Sequence, residues 1–224
     1  MSADTWTWNH YWLPFFAAAF IMGSIPFGRI ISRRVAQTDI TRRGSRNIGA
    51  TNVAREIGMK WGILTLVLDL SKGLVPALIF RFIYPESHLG LSLVGLCALL
   101  GHQFSPFLGF HGGKGVATAL GFFMAVSPPA TLLALCVFLI TVYLWDFISL
   151  GSILASFSLP VFLAVFARPR TVIAISLIAA GLICLKHKDN LHRLLSGTER
   201  KWRERKRTAK NRIAQSAKSK EHSE

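Results

Sequence analysis

Long apolar runs separated by short polar stretches dominate the chain. Leu132–Leu144 contains no charged residue, and neither does Leu89–Gly101. Several such runs in 224 residues are more than one soluble core would bury. The pattern predicts seven membrane spans, at roughly 10–31, 60–83, 89–107, 113–127, 129–145, 150–167 and 170–186. Several are short for a hydrocarbon core about 30 Å thick, which implies tilt, breaks or interfacial placement. The third-to-fourth and fifth-to-sixth junctions hold Gly, Pro and polar residues inside apolar sequence. Irregular backbone at that depth survives only against protein or a wet cavity. The expected fold class is therefore all-α, a polytopic integral membrane protein with seven transmembrane helices.

Charge then orients the spans. The chain has a net charge of +15. The loop 32–59 carries Arg33, Arg34, Arg42, Arg43, Arg46 and Arg55, and the region after 186 is denser still. The opposite loops hold Asp4 and Glu86, with Arg168 and Arg170 as exceptions. The positive-inside rule places the N-terminus outside and the C-terminus in the cytoplasm. The first apolar stretch, Leu13 to Ile31, lacks a basic n-region and runs into Arg33 and Arg34. It reads as a retained span rather than a cleaved signal. Residues 1–197 form the membrane domain. Residues 198–224 form a basic cytoplasmic tail with no apolar period, either disordered or lying on anionic headgroups. The tail lacks the aromatic interleaving of a nucleic-acid module, so no nucleic-acid partner is expected. Cys97, Cys136 and Cys184 each sit in an apolar run, with no spacing that suggests a metal site or disulfide framework.

Three polar segments carry candidate chemistry. Gly44–Arg55 combines glycines, Ser45, Thr51 and Asn52 with Arg46 and Arg55. Backbone amides, hydroxyls and guanidinium groups suit a phosphate; a capped loop before a helix is the equal alternative. Gly101–Thr118 contains Gly112-Gly113-Lys114-Gly115 at the start of an apolar run. Close backbone approach, a helix N-terminus and a lysine make an anion cradle, whereas glycines alone make a helix-packing turn. It is not a Walker A loop, because Leu108 and Gly115 stand where that motif needs Gly and Ser or Thr. Lys186–Glu199 leaves the last span as an amphipathic helical turn, with His187 and Asn190 on one face. A snorkelling basic stop is the alternative there. Asp69 and Lys72 interrupt the second span and either pair or cap a broken helix. Ser149-Leu150-Gly151-Ser152 opens the sixth span, where its hydroxyls line the same site or cap the helix. In the seven-span arrangement the three motifs and Ser149–Ser152 fall on one side, which favours one composite site.

These segments, in this order, resemble the signatures of the acyl-phosphate:glycerol-3-phosphate acyltransferases, the PlsY family. Gly44–Arg55, Gly101–Thr118 and Lys186–Glu199 are similar to its three motifs. Gly23–Gly28, Leu68–Gly73 and Ser149–Ile153 also match, so the resemblance covers about residues 20 to 199. It implies seven transmembrane helices in the bacterial inner membrane and no metal or bound cofactor. It implies transfer of a fatty acyl group from acyl phosphate to the sn-1 hydroxyl of glycerol 3-phosphate. The products are lysophosphatidic acid and inorganic phosphate, at the committing step of phospholipid synthesis. The implied partners are the two substrates, membrane lipids and, functionally, the enzyme that makes acyl phosphate. Carried residue by residue, the catalytic set is Ser45, Arg55, Lys114, His187 and Asn190. Thr51, Asn52, Gly112, Gly113, Gly115 and Ser152 bind substrate, and Glu199 takes a structural part.

The chain departs from the family pattern twice. Arg46 stands where the first motif usually has glycine, and Asp146-Phe147 stand where an Arg-Tyr pair is common. Compensation of the lost cation by Arg46 is one hypothesis. Within the mechanism that the resemblance implies, His187 is the imidazole to consider as base. The alternative, a proton accepted by the acyl phosphate itself with His187 positioning, is preferred; an acyl-enzyme on Ser45 is also conceivable. The His-x4-Asp signature of acyl-CoA-dependent acyltransferases is absent. The residue five on from each His is Phe15, Leu93, Phe107, Val116, His192 or Gly197, and His222 runs out of chain. The competing function classes are a transporter of an organic phosphate and a non-catalytic membrane anchor.

Overall fold

Ten α-helices account for most of residues 9–203, the part of the chain described by the computed structural model. They are α1 (Leu13–Ser24), α2 (Phe27–Ala36), α3 (Ala50–Glu56), α4 (Met59–Ile83) and α5 (His88–Gln103). They continue with α6 (Val116–Val126), α7 (Pro128–Trp145), α8 (Ile148–Val165), α9 (Arg170–Lys186) and α10 (Lys188–Leu195). No strand occurs among the described residues. Five stretches are long and apolar enough to cross a bilayer: 10–36, 59–83, 88–108, 128–145 and 148–165. The pair α9 and α10, bent by 63°, makes a sixth. The apolar α6 has 11 residues, a rise of about 16 Å, roughly half a hydrocarbon core.

The structure refines three sequence expectations about the elements. The first span does not run straight from 10 to 31. It breaks at Ile25-Pro26 and resumes as α2 to Ala36, because a residue before proline is pushed out of helical geometry. The loop 32–59 is partly helical, since Ala50–Glu56 forms α3 behind Gly49. The second span is not broken at its charges. Asp69 and Lys72 pair at 2.7 Å inside the continuous helix α4, both almost fully buried. The Lys72 ammonium also lies over the Phe27 ring, 5.0 Å from its centroid.

Small residues set the closest helix contacts. A Cβ at Gly23 would fall 2.2 Å from the Ala98 carbonyl oxygen, which fixes how near α1 comes to α5. A Cβ at Gly121 would fall 2.0 Å from the Leu70 carbonyl oxygen, fixing α6 against α4. Such approaches maximise van der Waals contact where lipid gives helices no hydrophobic reason to associate. The bundle also pairs α7 with α8 and α8 with α9. Thus α4 and α8, each packed mainly on other helices, face one another across a cavity.

The short α6 ends on arginines. Arg81 Nη1 donates to the Ala125 carbonyl at 2.6 Å, and Arg168 Nη2 donates to the Val126 carbonyl at 2.8 Å. These carbonyls belong to the last turn, which has no intrahelical donors. Arg168, an exception to the charge asymmetry of the loops, is therefore held by a structural task.

Candidate active site

A cavity of about 530 Å³ opens where the loops after α2 and α5, the α7–α8 corner and the segment after α9 converge. One end is polar, lined by Ser45, Thr51, Asn52, Arg55, Lys114, Gly115, Ser149, Ser152, His187 and Asn190. The other end is apolar and passes Ile63, Leu66, Leu120, Phe123, Phe138 and Leu159. Of the eleven catalytic and substrate-binding residues named from the sequence, all but Gly112 and Gly113 line this cavity.

Those two glycines serve packing. The Gly112 amide donates to the Gln103 carbonyl at 3.1 Å, and the Gly113 amide to the His102 carbonyl at 3.0 Å. A Cβ on Gly112 would sit 2.0 Å from the His102 carbonyl oxygen. Their amides are thus spent on the open end of α5, and neither residue lines the cavity. The packing turn that they form delivers the next two residues. Gln103 Nε2 donates to the Lys114 carbonyl at 2.8 Å and pins the turn. Gly115 then takes φ +85°, a left-handed conformation that suits glycine, and starts α6. Val116 and Ala117, whose amides lack intrahelical partners, lie on the cavity wall beside Lys114.

A charged network crosses the polar end. Lys114 Nζ donates to Asn190 Oδ1 at 2.5 Å, and Asn190 Nδ2 donates to Glu199 Oε1 at 2.6 Å. The same oxygen accepts from Ser149 Oγ at 2.7 Å, and Arg193 Nε donates to Glu199 Oε2 at 2.8 Å. Burial lowers the Lys114 ammonium to a pKa of about 8; Glu199 opposes the shift, while Arg193 and Arg55 add to it. Burial would raise the Glu199 carboxyl. Hydrogen bonds from Ser149, Asn190 and Arg193 outweigh it and hold the group below its ordinary value. Glu199 therefore stays anionic and ties α8 to α10, with Asn190 facing Lys114.

The remaining residues divide between cavity wall and scaffold. Asn52 is buried, and its side chain is wholly engaged. Oδ1 accepts from the Ser45 amide at 3.0 Å, and Nδ2 donates to the carbonyls of Asn47 and Arg43 at 2.8 and 3.1 Å. It shapes the loop that presents Ser45 and Thr51. Ser152 Oγ donates back to the Ile148 carbonyl at 2.8 Å while lining the cavity. Neither Ser149 nor Ser152 caps α8. His187 is buried, and its Nδ1 lies 2.8 Å from the Ile183 carbonyl oxygen. A carbonyl only accepts, so Nδ1 carries the proton, and neutral His187 keeps its lone pair on Nε2. Arg55 Nη2 donates to the Arg200 carbonyl at 3.2 Å, and its guanidinium lies 5.8 Å from the Trp202 ring centroid.

Three features were not assigned from sequence. His102 also reaches the cavity, with Nδ1 3.2 Å from Thr118 Oγ1 and 3.5 Å from Lys72 Nζ. Gln103 is fully buried against the turn it holds. Residues 198–203, assigned to the tail by composition, pack on the site, with Arg200 and Trp202 in the cavity wall. The rest of that tail, 204–224, lies outside the described residues. The departures at 46 and 146 share a backbone trait. Arg46 has φ +58° and is exposed, and Asp146 has φ +65°. The cation beside the Asp146 carboxylate is Arg203, at 3.7 Å, rather than Arg46. Among the described residues no group of three or more His, Cys, Asp or Glu side chains is arranged to hold a metal ion.

Comparison with known proteins places this arrangement. Residues 13–197 match the family model described as glycerol-3-phosphate acyltransferase. A glycerol-3-phosphate acyltransferase of Geotalea daltonii is 46% identical over 182 residues, covering 81% of this chain and 92% of the relative. One of Aquifex aeolicus is 42% identical over 185 residues, covering 82% and 95%. Two crystal structures of PlsY (YgiH), an integral membrane glycerol 3-phosphate acyltransferase, share the fold. The glycerol 3-phosphate form has a TM-score of 0.82 at 40% identity, and the lysophosphatidic acid form 0.80 at 39%. Each comparison covers 85% of this chain and 95% of the other. On the strength of both the motif residues around one cavity and these matches, the chain belongs to the glycerol-3-phosphate acyltransferase family of integral membrane proteins.

Proposed function

We propose that the chain moves a fatty acyl group from acyl phosphate to the sn-1 hydroxyl of glycerol 3-phosphate, within a bacterial inner membrane. Acyl transfer to glycerol 3-phosphate is the activity for which its family is named. The observation that carries the reading is the single cavity with a cationic, hydrogen-bonding end and an apolar end. The two substrates carry phosphate at one end, and the donor carries a hydrocarbon chain at the other. In this reading the cavity mouth faces the cytoplasm with the basic loops, the chain makes seven spans and the N-terminus lies outside, as the positive-inside rule favours.

Each residue has a part in this reading. Lys114 and the open amides of α6 bind the donor phosphate. Arg55 and Asn190 hold the phosphate of glycerol 3-phosphate, with Ser45 and Thr51 orienting it. The acyl chain lies between α4 and α8. The acceptor hydroxyl oxygen attacks the acyl carbonyl carbon, and the bond from that carbon to the phosphate oxygen breaks. The hydroxyl proton passes to the departing phosphate, so the products are lysophosphatidic acid and inorganic phosphate. His187 Nε2 accepts a hydrogen bond from the neighbouring sn-2 hydroxyl and so aims the sn-1 oxygen, leaving the sn-1 proton free for the phosphate. Charge on the departing phosphate develops next to Lys114, so electrostatic stabilisation supplies most of the rate.

The test uses purified protein in sealed lipid vesicles with acyl phosphate and labelled glycerol 3-phosphate. Labelled lysophosphatidic acid, with stoichiometric phosphate release, supports the reading. Label crossing the vesicle wall with no new lipid would overturn it in favour of an organic-phosphate transporter. Formation of product from acyl-CoA but not from acyl phosphate would refute the donor.

A further inference from the structure

Residues 200–203 lie beyond the stretch 13–197 that the family model matches, yet Arg200 and Trp202 line the cavity. Four contacts anchor them to the corner between α7 and α8. The Trp202 amide donates to the Asp146 carbonyl at 2.8 Å. The Arg203 amide donates to both Asp146 carboxylate oxygens, at 3.2 and 3.1 Å. Arg203 Nη2 donates to the Tyr143 carbonyl at 3.1 Å, and its guanidinium lies over the Tyr143 ring. Asp146 can present its carbonyl and its carboxylate to one strand of chain because it ends α7 at φ +65°. Aspartate tolerates that region better than most residues.

The anchored segment turns its other side toward Arg55. The Arg200 carbonyl accepts from Arg55 Nη2, and the Trp202 ring faces the guanidinium at 5.8 Å. Glu199, just before, is fastened by Ser149, Asn190 and Arg193. The segment is therefore held on both sides of the point where it meets Arg55. A guanidinium on a flexible stem loses rotamer freedom when it binds an anion. A ring face and a carbonyl that hold it beforehand remove part of that cost.

We infer that Trp202, fixed by Asp146 and Arg203, is a positioning residue that preorganises Arg55 for glycerol 3-phosphate. The inference rests on the assignment of Arg55 to that substrate. It also gives the unusual Asp146 a purpose: it is the receptor for a segment outside the family's matched region.

Steady-state kinetics on the full chain in lipid tests it. Trp202→Ala should raise KM for glycerol 3-phosphate about three- to tenfold, the range of a partly desolvated cation–π contact. KM for acyl phosphate and kcat should change less than about twofold, because uniform binding of one substrate is what is lost. Trp202→Phe keeps a ring face and should recover most of the loss. A stop codon after Glu199 should reproduce Trp202→Ala, whereas a stop after Arg203 should behave as the full chain. In an Arg55→Ala background the Trp202→Ala effect should vanish. Trp202→Ala with unchanged KM, equal losses on both substrates, or Phe no better than Ala would overturn the inference while leaving Arg55 in place. Unchanged KM for glycerol 3-phosphate in Arg55→Ala would overturn the Arg55 assignment itself, and the inference with it.

Discussion

The two ends of α6 use the same chemistry for opposite purposes. At its C-terminus, Arg81 and Arg168 donate to the carbonyls of Ala125 and Val126. These cations are consumed by the fold. At its N-terminus, Gly112 and Gly113 dock on α5, Gln103 pins the turn, and Lys114, Val116 and Ala117 line a cavity. There, in the proposed reaction, the positive end of the helix takes the donor phosphate. A helix end in an apolar surrounding must find partners. Where the protein supplies them the end is closed, and where it borders a cavity the end is left open to one. Positive charge alone does not separate the two; the identity of the acceptor does.

The comparison yields predictions of decreasing size. Lys114→Ala should lower kcat/KM by about 100- to 1,000-fold, as for loss of one transition-state donor, with little change in thermal midpoint. A variant that lost stability instead of rate would make the two ends alike. The next effect is a pH limb. Free Lys114 titrates at about 8, so kcat/KM should fall about tenfold per pH unit above that value. Phosphate favours the ammonium, so the limb in kcat should lie at higher pH. Lys114→Arg should abolish it, because guanidinium does not titrate there. The stability slope has the opposite sign. Lys114 is depressed on folding, so the unfolded chain binds more protons between about 8 and 10.4, and stability rises with pH there.

Changes at the closed end should reverse the readout. Arg168→Leu or Arg81→Leu leaves a carbonyl without its donor, which costs about 1–3 kcal/mol of stability. The thermal midpoint in lipid should drop, and KM for either substrate should stay within twofold. The smallest effect is expected at Arg46, an exposed cation with left-handed backbone. Arg46→Gly should stabilise by up to about 1 kcal/mol through relief of that conformation, read as a higher thermal midpoint. A tenfold loss of kcat/KM in this variant would show that Arg46 is a third kind of cation, neither capping nor idle.

The spans were legible because lipid demands long apolar helices, and the cavity residues were legible because polar chemistry stands out among them. Nine of the eleven site residues named from sequence line the cavity. Gly112 and Gly113 stand outside that lining, because their amides go to the carbonyls of Gln103 and His102, partners that the sequence does not reveal. Glu199 was visible as a motif acid, but its three partners come from α8 and α10, over distances that spacing cannot encode. Trp202 was hidden for a different reason. It sits in a basic stretch whose composition reads as tail, and one aromatic ring carries no periodic signal.

The buried pair in α4 has a consequence for how the chain enters its membrane. Asp69 and Lys72 lie on adjacent turns of one helix and meet at 2.7 Å without help from another span. Each alone would cost about 2.5–3.5 kcal/mol at the centre of an inserting helix. Joined within the segment, they form a neutral unit before α5 or α6 has been synthesised. The helix therefore carries its own counter-ion into the bilayer. Moving either charge to a neighbouring span would keep the finished site neutral, but it would make insertion depend on the order of synthesis.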